Sequence, residues 1–90
     1  DLAPLGAELA ALGIVGVVDA GARNGPPEAA LLARARASGA FAPKIHLMGD
    51  ETLQPAPGVS RGALKLHYDE SDLPALEAVA ARIAAARRQG

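Results

Sequence analysis

Large apolar residues recur at helical spacing from the start of the chain. Leu2, Leu5, Leu9 and Leu12 share one helix face, Asp1 is placed to cap it, Pro4 suits its first turn, and Gly13 stands where a left-handed end residue belongs. The period then changes. Ile14-Val15-Gly16-Val17-Val18 is apolar on both faces, the pattern of a strand buried on both sides. Asp19 to Gly25 reads as a loop, and Pro26-Pro27-Glu28 opens a second helix that runs to about Ser38 and stops at Gly39. Lys44 to Met48 is a second strand. Residues 49 to 62 hold three Gly or Pro clusters and no period, which predicts a long loop. Ala63 to Tyr68 alternates as a third strand. Ser71 or Asp72 then caps a last helix with Leu73, Leu76, Val79, Ala80 and Ile83 on one face and Arg82, Arg87 and Arg88 towards its end.

The predicted order is therefore α-β-α-β-loop-β-α. Strands alternating with helices predict the α/β class with a parallel sheet. Three strands cannot close a barrel, and an open three-stranded domain leaves two edges unprotected. The pattern is that of a stretch cut from a larger α/β protein.

Composition sharpens this. The chain has 90 residues, and 22 of its 45 apolar residues are alanine, which favours helix but buries little area. No cysteine is present to add a disulfide or a thiolate metal site. The core is expected to be thin for a free-standing domain. A net charge of −1 with one Tyr, one Phe and no Trp excludes the basic face or stacking aromatics of a nucleic-acid module. No apolar run is long enough to span a membrane, and Asp1-Leu2-Ala3-Pro4 is not a signal-peptide start. The expected setting is the cytoplasm, and seven arginines to two lysines with so much alanine fits a GC-rich bacterial genome.

Candidate chemistry is sparse. Gly58-Val59-Ser60-Arg61-Gly62 matches the nucleophile-elbow pattern, but that elbow needs a strand-to-helix turn and a histidine beside the serine. Here the serine precedes a strand, which favours a plain loop. His46 and His67 lie on different strands in no paired-ligand spacing and read first as hydrogen-bonded wall residues. Strand alternation puts Lys65 and His67 on the face opposite Leu64, Leu66 and Tyr68. A lysine there is either ion-paired or snorkelling, or it is buried, in which case its neutral amine is a nucleophile or base. A neutral amine can also take up carbon dioxide as a carbamate. Asp19 ends the first strand, where active-site groups of parallel α/β proteins gather, although capping a turn is the simpler role.

Leu12-Gly13-Ile14-Val15-Gly16-Val17-Val18-Asp19-Ala20 is similar to the Gly-Val-Thr-x-Val-x-Asp-Ala stretch of the metal-dependent amidohydrolase superfamily, the group that includes the imidazolonepropionase-like enzymes. Gly62-Ala63-Leu64-Lys65-Leu66-His67-Tyr68-Asp69-Glu70 resembles that group's Gly-x-Val-Lys-Ile/Leu strand and acidic turn. Ala37-Ser38-Gly39-Ala40 before a strand ending Leu47-Met48-Gly49, and the helix ending Ala86-Arg87-Arg88-Gln89-Gly90, also look like it. The resemblance implies a partial (β/α)8 TIM-barrel segment, about three parallel strands with flanking helices. It further implies a hydrolase of amide, cyclic amide or amidine bonds using divalent metal, usually zinc. Lys65 matches the fourth-strand lysine that is carboxylated and bridges metals in several branches. The family's His-x-His pair, two later histidines and last-strand aspartate have no counterpart. The isolated chain is therefore expected to hold no complete metal site and to be inactive. Its expected partners are the rest of its own barrel or another copy, with a small-molecule substrate in the parent. The alternative is a small non-catalytic α/β interaction domain.

Overall fold

A computed structural model describes residues 1–90 and places them in an α/β arrangement of three helices and one three-stranded parallel sheet. In chain order the elements are α1 (Ala3–Ala11), β1 (Gly16–Asp19), α2 (Pro26–Ala37), β2 (Lys44–Gly49), β3 (Val59–Leu64) and α3 (Leu76–Gln89), with a 3-10 turn at Glu70–Asp72. The Asp1 carboxylate accepts the Ala3 N–H at 3.0 Å at the start of α1. Pro26 and Pro27 open α2, where Glu28 Oε2 accepts the Gly25 N–H at 2.9 Å. Gly13 and Gly39 follow their helices at φ +75° and +78°, a backbone conformation that side chains with a Cβ resist.

The strands lie side by side in the order β1-β2-β3. Val17, Ile45 and Val59 form one row across the sheet, and Val18, His46 and Ser60 form the next. Because adjacent rows point to opposite faces, Ile45, Leu47 and Val59 are buried while Lys44, His46 and Ser60 are exposed. Ala29, Phe41 and Leu53 complete a buried core of six residues, with Leu2 and Leu9 of α1 and Leu32, Ala33 and Ala35 of α2 packed around it. The core is as thin as the alanine content predicts. No helix covers the face that carries His46 and Ser60.

Four expectations change. The first strand is apolar but not buried on both sides: it is an edge strand, with Val18 62% exposed and Val15, just before it, 80% exposed. The third strand begins at Val59, four residues ahead of the alternating stretch, because Val59 pairs with Ile45 and fills the core. The loop shrinks accordingly to residues 50–58, and its Leu53 is buried. The last helix starts at Leu76, after neither Ser71 nor Asp72, because Pro74 holds Leu73 extended at φ −72°, ψ 123°.

No residue of α3 is buried, and Leu73 and Leu76 are largely exposed rather than on a core face. Polar tethers hold this helix instead. Arg61 Nη2 donates to the Gln89 and Gly90 carbonyls at 3.2 and 2.9 Å, satisfying the open C-terminal end and complementing the helix dipole. At mid-helix, Arg82 Nε donates to Glu51 and its Nη1 to the Tyr68 hydroxyl at 2.6 Å.

Candidate functional site

The carboxyl ends of all three parallel strands meet at one edge of the sheet, and the loops there are built around Asn24. Its Nδ2 donates to Asp19 Oδ1 and to the Met48 carbonyl, both at 3.0 Å, joining the ends of β1 and β2. Its own carbonyl accepts the Asp50 N–H at 2.9 Å. Asp19 Oδ1 also accepts the Gly21 N–H at 2.9 Å, so this carboxylate is occupied in shaping the turn, the simpler of its two expected roles. Gly49 lets the Asn24 main chain pass close by: a Cβ there would stand 2.1 Å from the Asn24 carbonyl oxygen.

β3 extends this edge. The Lys65 N–H donates to the Gly49 carbonyl at 2.8 Å, continuing the ladder by one residue. Between Leu47↔Arg61 and Gly49↔Leu64 the register slips, so β3 carries one extra residue. A bulge of this kind bends its strand and re-aims the next side chains. Leu64 takes the row of Gly49, and Lys65 opens onto a cleft of about 540 Å3. Ala20, Gly21, Ala22 and Arg23 of the loop after β1 line it together with Lys65, Leu66, His67 and Arg82. Lys65 is half-buried rather than enclosed, and His67 is exposed with its Nε2 3.8 Å from Asp69 Oδ1. The carboxylate of Glu51 is held below its ordinary range, chiefly by its hydrogen bond from Arg82, and the Arg82 guanidinium is held above its own by the same contact. Acid that protonates Glu51 therefore releases Arg82; with 33% and 40% of their side chains exposed, the pair is also open to screening by salt.

The other two sequence candidates lie elsewhere. His46 and Ser60 meet on the uncovered sheet face, Nδ1 to Oγ at 2.8 Å, with Ser60 Oγ also 3.2 Å from the Ile45 carbonyl. The histidine that a catalytic Ser60 requires is present, but the strand-to-helix turn is not, since Ser60 sits inside β3. The single hydroxyl hydrogen serves either Ile45 or His46, and no carboxylate orients the imidazole from behind. The His46 ring lies over Gly62, where a Cβ would come within 2.7 Å of Nε2. This is a hydrogen-bonded wall pair.

Of the predicted residues, then, the fold brings Lys65 and His67 to one cleft, leaves Asp19 at the end of β1 outside its lining, and separates His46. No three His, Asp or Glu side chains converge closely enough to hold a metal ion by themselves. Arg23 and Arg82 were not candidates from sequence. Arg23 had a usable signal, a cation in a glycine-rich turn directly after a strand's carboxyl end. Arg82 had none, because its place in the cleft depends on contacts with Glu51 and Tyr68. Comparison with protein-family models, curated proteins and solved structures found no match to this chain.

Proposed function

We propose that the chain is a three-stranded stretch of a (β/α)8 barrel hydrolase that cleaves C–N bonds, of the amidohydrolase kind its sequence resembles, with a loop in place of the helix between β2 and β3. The structural observation that supports this reading is the winding of the sheet: three parallel strands stand in chain order, with α1 and α2 packed on one face only. A barrel keeps chain order throughout and turns its helix-free face inward; one half of a doubly wound sheet also keeps chain order with its helices on one face, so the sheet fits both and the sequence resemblance selects the barrel. On this reading, further strands of the barrel occupy the outer edges of β1 and β3, and the row of Val18, His46 and Ser60 faces the barrel interior. Lys65 is the residue this stretch contributes to the substrate site, in a bacterial, cytoplasmic enzyme. The divalent metal that the resemblance implies would take most of its ligands from outside these residues, with Lys65 the one candidate bridging ligand among them.

The test is ring opening of hydantoins and dihydropyrimidines by a polypeptide carrying this stretch, assayed with zinc supplied. Lys65→Ala is expected to lower kcat/KM about a hundredfold, the scale of losing a positioned contact to substrate. Turnover that survives Lys65→Ala overturns the reading. A second reading, a non-catalytic α/β interaction domain, is favoured by the exposed Val15 and Val18 at an unpaired strand edge. It requires no turnover with any amide and self-association through β1 in sedimentation. A strictly monomeric chain counts against it.

A further inference from the structure

We propose that the cleft at the carboxyl edge binds a small, multiply charged anion of the phosphate or dicarboxylate class. Its walls carry Arg23, Lys65, His67 and Arg82 and no acidic side chain. Two of these side chains already have partners nearby, since Arg82 is paired with Glu51 and His67 Nε2 lies 3.8 Å from Asp69 Oδ1. Arg23 and Lys65 have none, and both line the cleft, one from the β1–α2 loop and the other from just beyond the end of β3. A half-buried ammonium without a counter-charge is unfavourable, and an anion placed in the cleft removes that cost. Gly21 and Ala22 have no side chain long enough to fill the space between the two cations.

The charge is local and not a by-product of a basic protein, because the chain as a whole carries −1. A cleft lined by one sign of charge concentrates its field and draws ions of the opposite sign. Its size falls within the range that encloses a small molecule. The inference stands on the cleft alone and does not need the hydrolase reading. In that reading, the anion is the charged part of the amide substrate.

The experiment is a titration of the full 90-residue chain, labelled with nitrogen-15, in bicarbonate-free buffer at constant ionic strength. Inorganic phosphate and succinate are the two probes. Saturable shifts are expected at the amides of Gly21, Ala22, Lys65 and His67 with at least one of them; whichever binds more tightly assigns the class. Affinity is expected to fall at least about tenfold in Arg23→Gln and in Lys65→Met, the loss of one charged hydrogen bond each. Lys65→Met keeps the apolar stem, so a folding defect is separated from loss of charge. Arg34→Gln and Arg88→Gln remove the same charge away from the cleft and should leave affinity unchanged. The proposal fails if those two variants weaken binding equally, or if shifts never saturate with either probe. Anion binding by the chain with no amide turnover by the longer polypeptide refutes only the hydrolase; turnover by that polypeptide without anion binding by the chain refutes only this site.

Discussion

Replacing Leu47 with alanine is expected to destabilise the chain by about 3–5 kcal/mol, the largest loss available to a single truncation in this fold. Leu47 is wholly buried on the central strand, and it belongs to a core of only six buried residues. It pairs with Asp19 on one side and Arg61 on the other, so the cavity would open at the point where all three strands join. The neighbours cannot readily collapse into it. Ile45 and Val59 are held by the ladder, and Ala29 is too small to follow. A chain of this length has a total stability of roughly 5–13 kcal/mol, and a thin core favours the low end. Urea unfolding followed by far-UV circular dichroism measures the change. A loss below about 1 kcal/mol would falsify the packing described for β2.

Gly49→Ala is expected to cost about 3 kcal/mol by the opposite mechanism, overcrowding instead of a void. The new methyl group would meet the Asn24 carbonyl oxygen at 2.1 Å and a Leu53 methyl at 2.9 Å. Leu53 can rotate, but Asn24 cannot withdraw. Its carbonyl accepts from Asp50, and its carboxamide is committed to Asp19 and Met48. Relief therefore requires the ends of β1 and β2 to part, which also deforms the wall that carries Arg23. Gly39→Ala is the matched control. Its φ is +78°, yet a Cβ there meets nothing within 4 Å, so only the backbone preference of about 1 kcal/mol is at stake. Equal losses in the two variants would show that conformation, and not the close approach of Asn24, decides the effect.

These two positions also mark where the sequence could be read and where it could not. α1 and α2 were legible because their ends are local: Asp1 and Gly13 bound one, Pro26-Pro27 and Gly39 the other. β2 was legible from its length and from the alternation of Lys44, Ile45, His46 and Leu47. β3 was not, because Val59 is a strand residue only by virtue of its partner Ile45, and the local signals around it are Gly58 and Pro57. The start of α3 was legible in principle from Leu73-Pro74, and the apolar period running through that dipeptide outweighed it. At the site, strand alternation set Lys65 and His67 on a face away from Leu66, but β3 ends at Leu64 and all three line one cleft; the cleft follows the carboxyl edge of the sheet, the reasoning applied to Asp19. The same reasoning, applied to cations in the adjoining loop, would have found Arg23. It could not have found Asn24, whose importance lies in joining two strand ends that are 29 residues apart, Asp19 and Met48.

The two strand connections differ in length, and this sets an order of assembly. Fourteen positions separate Ile45 from its partner Val59, whereas twenty-eight separate Gly16 from Lys44. Each doubling of a closed loop adds about 0.6 kcal/mol of entropic cost, so the β2–β3 pair is the easier one to nucleate. β1 docks afterwards onto an edge that already exists, and being short and exposed it is the first to leave. Amide hydrogens in the β1–β2 ladder should therefore exchange with solvent through a local opening, while those between β2 and β3 wait for the whole chain to unfold.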